Sequence, residues 1–155
     1  MKEKILEVFS NLGFKLEEGE MSYSFTYEGL NMLYLYNESD EEFLSIALPG
    51  IMKLEDGNTL QICALMERIN SSLKYIKAYI INDSVWLFYE RERLEHEDLT
   101  AIIPRMIFHL EAGMEIARKT MDEIEKSMTD DYGSSEENGN DTEETDTEET
   151  DNDKE

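Results

Sequence analysis

Two histidines and a single cysteine are the side chains of this chain best suited to metal ligation, nucleophilic attack or proton transfer near neutral pH. His96 stands in the run Glu95-His96-Glu97-Asp98, which could hold a divalent cation weakly, but the run matches no metal-ligand spacing and reads better as the solvated start of a helix. His109 lies 13 residues further on and is expected to pack or cap within its own helix. Cys63 would serve as a nucleophile only with a base beside it and a route to solvent. Its sequence neighbours supply neither, so it is expected to be a small buried side chain. HExxH, GxSxG, a glycine-rich phosphate loop and the βαβ frame of a dinucleotide site are all missing. Carboxylates are so numerous that no chosen pair has diagnostic value. The expectation is a non-enzymatic protein with no metal site and no cofactor.

Acidity limits the partners. The chain carries 37 acidic and 14 basic residues, a formal net charge of -23 over 155 residues. Thirteen of the acidic residues and one lysine fall between Asp130 and Glu155, a segment with no aliphatic side chain. Such a segment buries too little apolar surface to offset the entropy of ordering it, so residues 128–155 are expected to form a disordered acidic tail. Within it DTEET occurs twice in succession, at 141–145 and 146–150. It lacks the glycine-punctuated spacing of a calcium loop and reads as a solubilising, self-repelling extension, the alternative being a dock for a basic partner. Residues 1–127 remain as one domain, and up to Thr129 the chain still has 24 acidic against 13 basic residues. Phosphate recognition needs a basic footprint that is missing, so nucleic acid is not an expected partner. One cysteine excludes an intramolecular disulfide and fits a reducing compartment. The first apolar turn of MKEKILEVF carries charges, unlike a signal peptide, and no window reaches the apolar length of a membrane span. These readings point to the cytoplasm, with no membrane contact.

The elements that would position any site follow from periodicity. Ile5, Leu6, Val8, Phe9 and Leu12 give residues 2–12 the stripe of an amphipathic helix, with Gly13 as its stop. From Met21 the period drops to two: Met21, Tyr23, Phe25 and Tyr27 alternate with polar residues, and Glu28-Gly29 turns the chain into LNMLYLYN. A two-residue turn pairs Tyr27 with Leu30, Phe25 with Met32 and Tyr23 with Tyr34. FLSIALP (43–49) is a third strand ended by Pro49, which lacks the amide a ladder needs. Residues 50–57 form a loop, Asn58 caps a helix with Gln61 in the reciprocal position, and Ile62, Leu65, Met66, Ile69 and Leu73 form its apolar stripe. A stripe from Ile102 to Ile124 gives a last helix of roughly seven turns that starts near Asp98 and tolerates Pro104 by local distortion.

The remaining pair of strands, 75-YIKAYIINDSVWLFYERE-92, turns at Asn82-Asp83. Ile76, Ala78 and Ile80 then share a face with Val85, Leu87 and Tyr89, an aliphatic surface suited to helices. The opposite face takes Tyr75, Lys77, Tyr79, Trp86, Phe88 and Glu90. Tyr79, Trp86 and Phe88 could be the second side of a core. They also suit a protein interface, because large rigid aromatics with polar handles fit a contact whose rim stays wet. Lys77 and Glu90 would set the polarity around them, and Leu33 and Leu35 could extend the surface. A competing function is a small-molecule-sensing regulatory domain, with the sheet curled around a ligand lined by Tyr23, Phe25 and Tyr34.

The run ICALMERINSSLKYIKAYIINDSVWLFYERE (62–92), followed by a long C-terminal helix, resembles the YbjN-like family, whose fold is akin to that of class I type III secretion chaperones. Asn70 closes the helix in that run, Lys77 lies on the next strand and Asp83 leads the last one. The likeness extends over residues 1–125; the acidic tail and Pro104 are departures from it. It implies an α+β fold: a five-stranded antiparallel sheet with three helices, in the order α-β-β-β-α-β-β-α. It also implies a homodimer that binds an unidentified protein, as chaperones of this shape bind effectors, and does not act on metabolites.

Overall fold

The computed structural model describes residues 1–133. Its elements are α1 (Lys2–Asn11), β1 (Glu17–Glu18), β2 (Ser22–Tyr27), β3 (Leu30–Leu35), β4 (Phe43–Lys53), α2 (Thr59–Ser72), β5 (Ile76–Ile81), β6 (Ser84–Glu92) and α3 (Leu99–Gly133). The fold is α+β with three helices and one open antiparallel sheet, in the order β1-β2-β3-β4-β6-β5. The sheet has six strands and not five. The additional strand, β1, is two residues long and pairs with Tyr23 and Ser24, too short to leave a period in the sequence. Helix α3 runs on to Gly133, beyond the domain boundary expected after residue 127. The rest of the expected tail, residues 134–155, lies outside the described residues.

Both hairpins form in the expected register. Tyr27 pairs with Leu30, Phe25 with Met32 and Tyr23 with Tyr34. Glu28 and Gly29 both have positive φ, 46° and 77°, as do Asn82 and Asp83 at 47° and 61°. Two positive-φ residues make the turn whose twist matches that of the flanking strands. Strand β4, by contrast, does not stop at Pro49. Its register with β6 shifts between Leu48 and Met52, so Pro49, Gly50 and Ile51 stand opposite Trp86 alone. The missing proline amide falls where the ladder is already interrupted, and Gly50 takes φ +64° there. The cap on α2 also differs. Asn58 occupies the N-cap position without a side-chain cap, because its Oδ1 accepts from the Glu55 amide (2.9 Å) and its Nδ2 donates to the Lys53 carbonyl (3.1 Å). The loop has taken the groups that the helix would have used.

Helix α3 starts early, as expected, with Pro104 inside it. The Thr100 amide and hydroxyl both donate to Asp98 Oδ1, and these bonds hold the Asp98 carboxyl below its ordinary range. The three helices lie on one side of the sheet. Phe9 of α1 packs on Phe25 and Tyr34 at 5.0 and 5.6 Å between ring centroids, while Ile62, Leu65 and Ile69 of α2 and Ile103, Met106, Ile107 and Leu110 of α3 complete the core. Gly113 lets α3 approach the sheet: a Cβ there would lie 3.4 Å from Leu87 and 3.8 Å from Ile76.

Asn70 does more than close α2. Its amide receives the Ala78 N–H (2.7 Å) and donates to the Ala78 carbonyl (3.2 Å), standing in for a neighbouring strand on the outer edge of β5. Asn70→Leu leaves both backbone groups unpaired and is expected to cost about 1–3 kcal/mol in urea unfolding. Amide exchange at Ala78 should accelerate in the same variant. Unchanged exchange there would show that the side chain is not what protects the edge.

Candidate protein-binding face

Alternation along paired strands assembles the candidate face on the side of the sheet without helices. One row runs Ser24, Leu33, Ala47, Phe88, Lys77 across β2, β3, β4, β6 and β5; the next runs Ser22, Leu35, Ser45, Glu90. Tyr79 pairs with Trp86 beside the first row. Leu33 and Leu35 therefore belong to the same surface as the aromatics, joined to them through Ala47 and Ser45 of β4.

The three aromatics are together but not equivalent. Tyr79 is 42% exposed and Trp86 half-buried, whereas Phe88 is only 7% exposed. Among the described residues no helix lies over Phe88, and the neighbouring rings shield it. The Trp86 ring lies near-parallel to it at 6.1 Å, and the Tyr79 ring meets it edge-on at 5.4 Å. Phe88 is thus the platform on which the two outer rings rest. The Trp86 indole donates to Ser84 Oγ at 3.1 Å, which satisfies its polar atom and fixes the ring.

The two charges nearest the aromatics pair with each other, Lys77 Nζ lying 3.7 Å from Glu90, while Glu17, Lys53 and Glu92 stand at the margins of the same face. The centre of the face around Leu33, Ala47, Trp86 and Phe88 is free of charge, and the charged side chains stand around it. Beside the aromatics a groove of about 480 Å³ opens, with Leu35, Ser45, Phe43, Lys77 and Glu90 among its walls. The Ser45 hydroxyl is buried there without a hydrogen-bond partner. Ser45 and Phe43 were not anticipated as site residues, yet FLSIALP alternates Phe43, Ser45, Ala47 against Leu44, Ile46, Leu48, which is the signal that places them on this side.

The other sequence candidates are dispersed. Tyr23, Phe25 and Tyr34 do not share a described cavity: Tyr23 and Phe25 border separate grooves, all three are buried, and Phe9 packs against Phe25 and Tyr34. Burial raises the Tyr34 phenol well above its usual range. Cys63 is exposed and not buried, lying one residue round the helix from the buried Ile62. His96 is exposed, and its neighbour Glu97 is engaged with Arg91 and the Leu94 amide. Among the described residues no group of three His, Cys, Asp or Glu side chains could hold a metal ion. His109 does pack, its ring near-parallel to Tyr89 at 5.7 Å. Tyr89 also has the Tyr75 ring near-parallel to it, at 5.5 Å and 15°. Strand alternation places Tyr75 on the aromatic face. It instead adopts φ +66°, just before β5, and this turns its ring out of strand alternation and onto Tyr89.

No protein-family model matches the chain, and no curated protein matches it. Among solved structures the chain is similar to YbjN of E. coli, a candidate transcription regulator, with a TM-score of 0.55 at 11% identity over 82% of this chain and 93% of that one. The likeness is one of fold, and among the described residues no helix is long and apolar enough to cross a membrane.

Proposed function

We propose that the chain is a non-enzymatic, chaperone-like protein-binding module of the cytoplasm that acts as a homodimer, with the helix-free sheet face as its contact surface. The observation that carries this reading is the cluster of Tyr79, Trp86 and Phe88 on a side of the sheet that no helix of the described residues covers. Exposed apolar patches rimmed by polar groups mark association sites more often than they mark solvent surfaces. The charge distribution supports a second copy as the partner. Lys77 and Glu90 lie side by side, so a two-fold axis through the face can bring the lysine of each copy to the glutamate of the other. Regulation, the role suggested for YbjN, would run through protein contacts here, since a chain of net charge -23 repels phosphate.

Light scattering on the full chain and on a version ending at Gly133 tests the reading. Both are expected to have the mass of a dimer. The dimer should tighten as salt rises from about 0.05 to 0.5 M, because screening relieves repulsion between two acidic bodies while apolar contact persists. A monomer at all salt concentrations, or a dimer that salt dissolves, would rule out association through a neutral face.

A further inference from the structure

Where β6 runs on past the start of β5, a second groove of about 560 Å³ opens against α3. Its walls include the outward ring of Tyr75, the buried ring of Tyr89, Phe43, His109 and Arg105. Tyr75 is 62% exposed and Phe43 49%, so aromatic surface is presented and not merely stacked. The chain holds Tyr75 there in a left-handed conformation that a bulky side chain adopts only at a cost, a kind of strain that gathers at ligand sites. Two of the four charged side chains of the wall, Arg, Lys, Asp and Glu counted, are paired. Arg91 is tied to Glu97 and Glu90 to Lys77, which leaves Arg105 and Glu92 without a salt-bridge partner among the described residues.

We infer that this groove binds a small planar aromatic carboxylate, its ring stacked on Tyr75 and its carboxylate held by Arg105. The groove has the size of a site for such a molecule. A guanidinium fork matches a carboxylate in two parallel hydrogen bonds, and His109 lies one turn along α3 from Arg105, on the same side of the helix. Glu92 on the same wall opposes a second negative charge, so a monoanion is selected over a phosphate dianion. Tyr79, Trp86 and Phe88 are not among its walls, although Phe43 and Glu90 border both this groove and the one beside those aromatics.

The test uses the full chain and 2-naphthoate, followed by titration calorimetry. Saturable one-to-one binding is expected, with 2-naphthamide and 2-naphthyl phosphate each about ten-fold weaker or worse. Arg105→Gln should weaken naphthoate by about ten-fold, since Arg105 is exposed and its loss leaves the core intact. Tyr75→Gly should do the same while suiting the left-handed backbone, and Trp86→Ala should leave binding unchanged. Absence of saturation, equal affinity for the neutral amide, or full affinity in Arg105→Gln would each overturn the assignment. A thermal melt of Tyr75→Gly keeps it interpretable: if that variant unfolds, the Arg105→Gln result alone decides.

Discussion

Trp86→Ala is expected to weaken self-association by more than about 2 kcal/mol, roughly 30-fold in Kd, while the monomer stays folded. The indole is half-buried on the helix-free face, and it is absent from the core that joins sheet to helices. Truncating it also uncovers Phe88, whose shielding comes from the two outer rings, so part of the loss belongs to a platform left open to water. The neighbouring residue supplies the control. Leu87 points the opposite way along the same strand, is fully buried and meets α3 at Gly113. Leu87→Ala should therefore cost about 2–5 kcal/mol of folding stability. Light scattering, and urea unfolding at a protein concentration below the dimer Kd, separate the two variants: one loses association and keeps its monomer midpoint, the other loses its midpoint. If Trp86→Ala unfolds as readily as Leu87→Ala, Trp86 is a core residue and the contact surface lies elsewhere.

That contrast rests on a period of two, and this is why the aromatic face could be read before any coordinates. Once Asn82-Asp83 is fixed as the turn, every side chain from Ile76 to Glu90 has its side assigned, and the observed register of Tyr79 with Trp86 agrees. The same holds for β2 and β3, whose alternation and Glu28-Gly29 turn specify Tyr23 opposite Tyr34. What the sequence concealed depended on distant partners. Pro49 looks like a strand end because a ladder needs its amide, but the three-residue bulge opposite Trp86 removes that need, and only pairing with β6 creates the bulge. Asn58 has the residue type of a cap, yet a preceding loop competes for the same side chain. Cys63 is a small apolar residue beside a buried one, and about 100° of helical rotation decides between core and solvent. The second groove was hidden for a similar reason. Alternation assigns Tyr75 to the aromatic face, and a single positive φ moves its ring onto Tyr89.

Phe9→Ala is expected to carry the largest stability loss, about 3–5 kcal/mol. The ring is fully buried and lies within 5.0–5.9 Å of Phe14, Phe25 and Tyr34, so its removal opens a cavity bounded by aromatic rings that cannot all move inward. The variant bears on function as well as folding. A ligand lined by Tyr23, Phe25 and Tyr34 would have to occupy the space that Phe9 fills, so a sensor of that design would require α1 to leave the sheet. Helix α1 is ten residues long and has no side-chain cap at its start, so its hold on the sheet comes from burial of Ile5, Val8 and Phe9. If α1 is an integral part of the fold, Phe9→Ala lowers the urea midpoint with its m-value unchanged, since the whole domain still unfolds at once. If α1 is a lid, the variant loses less than about 1 kcal/mol globally, and the amides of α1 alone lose their exchange protection. The four-ring cluster argues for the first outcome, because Phe9 touches Phe14, Phe25 and Tyr34 together and its departure would break three ring contacts at once.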